Sequence, residues 1–375
     1  MKKLGLYIHI PFCLQKCSYC DFYSLGCLSK GEEYVSALCR HIKDEAPSYK
    51  DYEIDTVFIG GGTPSVLTVK KLKTLFNTIK SSFNICLDAE FSIEANPGTL
   101  DREKLLCLKE NGVNRLSLGV QSTNDSELKA LGRIHTYKEF LESYHLAREV
   151  GFDNINLDIM YGLPDQNFES LSKTLDDVCK IQPEHISAYC LKIEENTPFY
   201  KKKDTLNLPS DDLEYEMYMH ICSELEKHGY LQYEISNFSK EGKRCKHNIR
   251  YWLSEEYVGF GPSAHSFFNG KRYYYERNID DYMTEVKNGK PIRAYEEEDN
   301  ILNGSKEEFL MLSLRLSDGV DLEKFKSKFG VDLLESFPKI RHFIGDFMTL
   351  DDKRLHFTKK GFFVSNYILT EILLD

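Results

Sequence analysis

Short apolar runs of strand length alternate with longer amphipathic runs through the first half of the chain, and this alternation restricts the fold more than any other feature. Strands are expected near residues 4–10, 56–60, 90–95, 115–120, 154–160 and 185–191. Helices are expected near 32–45, 68–81, 102–111, 137–150 and 168–180. Strand and helix in regular succession form βα units, whose strands lie parallel in one sheet. Six such units are too few to close an eight-stranded barrel. A chain of 375 residues has room for two domains and a small third, and 41% hydrophobic residues suffice for a full core.

The first strand runs into Cys13-Leu14-Gln15-Lys16-Cys17-Ser18-Tyr19-Cys20. This C-x3-C-x2-C spacing delivers three thiolates to one small volume. Cubane iron–sulfur clusters are held by Cys thiolates, usually four, so three leave one iron open to a small molecule. Structural zinc takes four ligands from two close pairs, and no second C-x2-C or H-x3–5-H pair follows. A disulfide framework fits poorly with an odd eleven Cys. Cys27, Cys39, Cys86, Cys107, Cys179, Cys190, Cys222 and Cys245 are scattered and read as small buried apolar residues.

Charge narrows the function classes. A net charge of −11 and a pI near 5.6 argue against a nucleic-acid footprint. No apolar run approaches the roughly 18 residues of a membrane span. Lys2 and Lys3 followed by residues 4–12 have the outline of a signal peptide. His9 and Pro11 interrupt that stretch and no small-residue cleavage site follows, so a first strand accounts for it better and a cytoplasmic location is expected.

Residues 204–212, with Pro209, read as a linker, followed by a helix near 213–228 and a strand near 231–235. Residues 274–305 are charged and irregular. Beyond them the order of a helical module, a hairpin and a last helix over 360–374 suggests a winged-helix-like domain. DNA binding would need a basic face, but from residue 301 on there are 11 Lys/Arg against 12 Asp/Glu.

At the cysteine triad, with aromatic Tyr19 before its last member, the chain resembles the radical SAM superfamily. In that superfamily S-adenosylmethionine (SAM) chelates the open iron of a [4Fe-4S] cluster through its amino and carboxylate groups. The resemblance implies an α/β fold with a partial (β/α)6 barrel over residues 1–235. A connecting region over 236–300 and a small, mainly helical winged-helix-like domain over 301–375 complete the expected division.

Gly60-Gly61-Gly62-Thr63-Pro64-Ser65 ends the second strand. Glycines let backbone approach a ligand, and amides of Gly61, Gly62 and Thr63 could hold the methionine moiety. A tight turn would need nothing more, but the superfamily carries a similar segment at this place. The coproporphyrinogen-oxidase branch matches further at Tyr7, at Glu94 in Glu-Ala-Asn-Pro-Gly, and at Gln121 in Ser-Leu-Gly-Val-Gln-Ser. It matches also at Arg133 in Leu-Gly-Arg-Ile-His and at Asp158 in Asp-Ile-Met-Tyr-Gly-Leu-Pro. Glu94 and Asp158 suit ribose hydroxyls or an ammonium, and Arg133 suits a carboxylate. Each alone reads equally as a polar residue at a barrel mouth.

Within that branch the resemblance narrows to two subfamilies. Oxygen-independent coproporphyrinogen III dehydrogenases decarboxylate propionates oxidatively and carry a further Cys where this chain has Phe22. They also carry a long N-terminal extension, whereas 12 residues precede Cys13 here. Haem chaperones of the branch carry H-N-x-x-Y-W, and this chain reads His247-Asn248-Ile249-Arg250-Tyr251-Trp252, with its sole Trp. Imidazole is a common axial ligand to haem iron, so His247 is the expected ligand and His265 the second candidate. A packing turn whose His bonds a backbone carbonyl is the plainer reading of the same residues.

The reading is therefore a haem chaperone that binds a [4Fe-4S] cluster through Cys13, Cys17 and Cys20, together with SAM and haem. It would pass haem to acceptor proteins, with a homodimer as the form in which the cluster could act. The alternative is the coproporphyrinogen III dehydrogenase, and a nucleic-acid-modifying radical enzyme is disfavoured by charge. No catalytic residue is assigned.

Overall fold

A computed structural model of the protein describes residues 1–289, 291, 293–295 and 304–374. The six expected βα units are present in order: β1 (Lys2–Ile10), α1 (Gly31–Glu45), β2 (Tyr52–Gly61), α2 (Val69–Ser82), β3 (Ile85–Ala95), α3 (Arg102–Glu110), β4 (Arg115–Gln121), α4 (Asp125–Ala130), α5 (Tyr137–Glu149), β5 (Ile155–Tyr161), α6 (Phe168–Lys180) and β6 (His185–Cys190). Short polar residues start the helices: Thr68, Asp101 and Asn167 each accept a backbone N–H of the first turn, and Thr136 forms a capping box with Glu139. The short α4 is the one helix of this half that periodicity missed.

Strands β1 to β6 are parallel neighbours in sequence order. The barrel stays partial because later strands occupy both of its edges. After α7 (Asp211–Lys227), the strand expected over 231–235 is a pair, β7 (Leu231–Gln232) and β8 (Asn237–Ser239), and β8 lies antiparallel on β6. After α8 (Lys246–Trp252), β9 (Tyr257–Phe260) pairs in parallel with β1. An antiparallel extension follows: β10 (His265–Phe268), β11 (Lys271–Tyr274), α9 (Ile279–Lys287) and β12 (Ala294–Tyr295). The stretch read as irregular from 274 to 305 thus holds a helix and a strand. Residues 290, 292 and 296–303, on which part of that reading and the 300/301 boundary fall, lie outside the described residues.

Successive strand residues point to opposite faces of the sheet. Leu4, Leu6, Ile8 and Ile10 are fully buried, as are Val57 and Ile59, Ile93, Leu116, Leu118 and Val120, and Ile155 and Leu157. The alternate positions are mostly polar: Tyr7 and His9, Thr56, Glu90 and Glu94, Arg115 and Ser117, Asn156 and Asp158, Ser187 and Tyr189. Parallel strands covered on both faces are usually apolar throughout. Here the concave face is polar and encloses a cavity.

The C-terminal module comprises α10 (Lys306–Ser313), β13 (Val320–Asp321), α11 (Leu322–Phe329), α12 (Leu333–Ser336), β14 (Met348–Leu350), β15 (Arg354–Phe357), α13 (Lys359–Phe363) and α14 (Ser365–Leu373). Its antiparallel sheet has the order β13-β15-β14. The single last helix expected over 360–374 is two helices, broken at Val364, where ψ turns to 18°.

Candidate functional site

The three cysteines occupy the loop after β1. Its start is fixed by the Cys13 amide donating to Leu25 O at 3.0 Å, and its middle by Ser18 N donating to Leu131 O at 2.9 Å. All eleven cysteines are free of disulfides. The Thr63 hydroxyl donates to Cys13 Sγ and Arg133 Nη1 donates to Cys17 Sγ, both at 3.5 Å. Arg133 Nη2 also donates to Asn96 Oδ1 and to the Gly119 carbonyl, each at 2.7 Å, while Asn96 Nδ2 donates to Thr63 at 2.8 Å. Burial pushes the Cys20 thiol up to about 11, and the charges of Cys17 and Cys13 add to that rise.

Three cysteines on one loop that give up their thiol protons need cations to neutralise them, which suits an iron–sulfur cluster. Among the described residues no three His, Cys, Asp or Glu side chains close on a point that would hold a single metal ion. A cubane asks less convergence than one ion does, because each of its irons takes a separate thiolate. The donor set therefore fits the cluster better than zinc.

The glycine run serves packing more than ligand contact. Gly61 has φ +108°, and a Cβ there would lie 2.4 Å from the His9 ring; a Cβ on Gly62 would lie 2.6 Å from Phe12 O. The Gly61 amide donates to Glu94 Oε2 at 3.0 Å, Gly62 N to Ile10 O at 2.9 Å, and Thr63 N to Phe12 O at 2.7 Å. These three amides are engaged within the chain in this structure.

Beside the loop opens a cavity of about 470 Å³ lined from every one of β1 to β6, including Tyr7, Phe58, Glu94, Arg115, Asp158 and Tyr189. Phe22 and Tyr23, just past Cys20, line its rim, and Phe22 is 70% exposed. Glu94 is pushed up to about 7, first by burial and then by the charge of Asp158, against the opposing pull of the Gly61 amide. Asp158 is itself raised by burial, though Asn156 donates to it at 2.8 Å and Ser117 at 3.2 Å. His9 is held neutral, near 4, chiefly by burial. Its Nε2 sits 2.9 Å from Tyr23 O and so carries the proton, leaving Nδ1 to accept from the Tyr7 hydroxyl at 3.0 Å.

His247 is fully buried in the cavity wall. Its Nδ1 lies 2.9 Å from Thr56 Oγ1 and its Nε2 2.8 Å from the Tyr251 hydroxyl, while its ring stacks on Phe58 at 5.3 Å. Burial lowers its pKa to about 3. As it stands His247 has no nitrogen to offer a haem iron, because both ring nitrogens bond hydroxyls, in place of the carbonyl a packing turn would supply. The i, i+4 spacing does bring Tyr251 onto the same face of α8. Trp252 points elsewhere and donates to Glu234 at 2.9 Å. His265 lies exposed at the cavity mouth, stacked on Tyr274 at 5.1 Å.

The expected residues thus fall into two neighbouring groups. Cys13, Cys17, Cys20, Thr63 and Arg133 form the loop group; Tyr7, Gly61, Glu94, Asp158 and His247 line the cavity. Gln121 ends β4 in a left-handed turn, φ 66°. Tyr19 packs against Leu131, Met160, Leu163, Leu191 and Phe199. Sequence reasoning missed Asn96, which joins Arg133 to Thr63, and the inward residues Arg115, Ser117, Asn156 and Ser187. Polar residues at alternate positions of buried parallel strands were the signal for the last four.

Comparison with known proteins agrees with this geometry. The profile of the Radical SAM superfamily matches residues 7–178, and that of the HemN C-terminal domain matches 306–364. Heme chaperone HemW of Bacillus subtilis is 41% identical over 342 residues, 89% of either chain. Heme chaperone HemW of Lactococcus lactis is 36% identical over 378 residues, spanning 100% of this chain and 98% of that one. The structure of coproporphyrinogen III oxidase HemN from Escherichia coli, a radical SAM enzyme, superposes with a TM-score of 0.85 over 98% of this chain and 89% of that one, at 22% identity, and so shares the fold. On its near full-length identity to such relatives, the chain belongs to the HemW family of the radical SAM superfamily.

Proposed function

We propose that the protein is a haem chaperone that holds a [4Fe-4S] cluster on Cys13, Cys17 and Cys20, binds SAM beside it, and carries haem in the barrel cavity for transfer to acceptor proteins. The observation that carries this reading is the cavity itself, about 470 Å³, which adjoins the cysteine loop and has α8 with its His-Asn-x-x-Tyr-Trp sequence in its wall. That volume lies in the range of sites for large organic ligands. Tyr7, Phe58 and Tyr251 offer aromatic faces for a macrocycle. The relatives' printed name, heme chaperone, supports the same cargo.

SAM would meet Glu94 and Asp158 on the cavity side and Arg133 on the loop side, with Tyr7, Tyr19, Gly61, Gly62, Thr63 and Gln121 around them. For the haem iron, His265 is the more exposed imidazole, at the mouth, and His247 the buried one, in the wall. A cytoplasmic location and a homodimer belong to the same proposal. Among the described residues no helix is long and apolar enough to cross a membrane.

The test uses the anaerobically reconstituted protein. Haem should bind, give a Soret band, and pass to an apo-haem protein, while coproporphyrinogen III releases no carbon dioxide. Turnover of coproporphyrinogen without haem transfer would replace the chaperone by the dehydrogenase. His265→Ala should shift the Soret band, whereas His247→Ala should chiefly lower the melting temperature; the reverse pattern would return ligation to His247.

A further inference from the structure

Arg115 is 2% exposed, yet it lines the cavity and its Nε has no hydrogen-bond partner among the described residues. A buried guanidinium normally finds acceptors for its donors, because leaving them unmet costs the desolvation penalty. The carboxylates around it act on it through charge, but their hydrogen bonds go elsewhere. Glu90 accepts from the amides of Lys246 and His247 at 2.9 and 3.1 Å. Asp158 accepts from Asn156 and Ser117. Asn156 in turn is held by His185 at 2.6 Å and Ser187 at 3.1 Å. Ser92, the register neighbour of Arg115 on β3, is fully buried and its hydroxyl also has no hydrogen-bond partner among the described residues. Two unmet polar groups side by side point to a polar group that enters from outside the chain.

We propose that Arg115 anchors a carboxylate of the molecule held in the cavity, which under the functional reading above is a propionate side chain of haem. The fork of a guanidinium matches a carboxylate with two parallel N–H bonds. SAM also carries a carboxylate, but position separates the two sources. Arg115 is the first residue of β4 and Gln121 the last, six steps or about 20 Å of parallel strand. The cysteine loop lies at the Gln121 end, and there the methionine moiety must reach the cluster. A macrocycle spanning the cavity can extend a side chain toward the opposite end.

The experiment compares haem with haem dimethyl ester on the full-length, cluster-reconstituted protein, titrated in the same detergent buffer. The native chain should bind the free acid at least about tenfold more tightly than the ester. Arg115→Met should bring that ratio close to one, with Arg115→Lys between. Equal affinities for acid and ester in the native chain would overturn the anchor without needing any variant to fold. A ratio preserved in Arg115→Met, or a loss of SAM binding in its place, would overturn it too. Failure of the native chain to bind haem in either form would instead remove the functional reading on which the anchor rests.

Discussion

At the scale of single residues, the cysteine loop and the Glu94–Asp158 pair each make a prediction that a single substitution tests. Cys13→Ala, Cys17→Ala and Cys20→Ala should each abolish the cluster, read as iron and sulfide content after anaerobic reconstitution. Cys27→Ala should keep it, since Cys27 is exposed and bonds its neighbour Ser29. Equal loss in Cys27→Ala would dissolve the ligand assignment. Glu94 makes a prediction about pH. Its folded value near 7 exceeds its ordinary 4.5, so the folded state holds a proton that the unfolded state releases. Its contribution is full below pH 4.5 and is lost as pH rises through 7, by no more than about 3 kcal/mol. Melting curves without cofactors should show stability falling across that window, and Glu94→Gln should flatten the fall. An unchanged profile in the variant would place the titration on another group.

Among the elements, α8 is held at both ends by charged side chains. It has seven residues, too few for a stable helix alone. The Glu90 carboxylate receives two of its leading amides and the thiol of Cys245, and Arg250 ties its far end to Asp55 at 2.5 Å. Buried charge-assisted bonds of this kind contribute about 1.5–3 kcal/mol each. Glu90→Gln should therefore destabilise the protein by about 1–3 kcal/mol in urea titrations. It should also loosen His247 and Tyr251, which ride on α8, and so weaken haem binding. A variant as stable as the native chain would show that packing of α8 suffices. The helix also explains why the hexapeptide reads ambiguously in sequence: His247 and Tyr251 face the cavity while Trp252, one position on, faces Glu234.

For the whole molecule, one apolar core runs through the barrel's helix layer and the C-terminal module, from Leu4 and Met217 to Phe325 and Ile372. Phe363 packs on Tyr215 and Tyr218 of α7, Arg272 pairs with Glu308 at 2.7 Å, and Ser317 N donates to Tyr233 O at 2.9 Å. A shared core makes one cooperative transition the expected behaviour. Trp252, the sole Trp, reports from the bend where Glu234 also bridges to Leu316. Its fluorescence should change at the same denaturant concentration as far-UV circular dichroism, and two separate midpoints would mean that the module unfolds alone. The local features were legible in the chain itself. The six βα periods and the three-cysteine spacing follow from short-range rules of hydrogen bonding and side-chain direction. The long-range features were not. That β9 returns to pair with β1, that Glu90 holds α8, and that Thr56 engages Nδ1 of His247 depend on residues 155 or more positions apart. Arg115 shows the division most clearly: its alternate position in an apolar strand marks it as inward-facing, but only the closed tertiary packing places it in a cavity wall with its Nε buried and, among the described residues, without a hydrogen-bond partner.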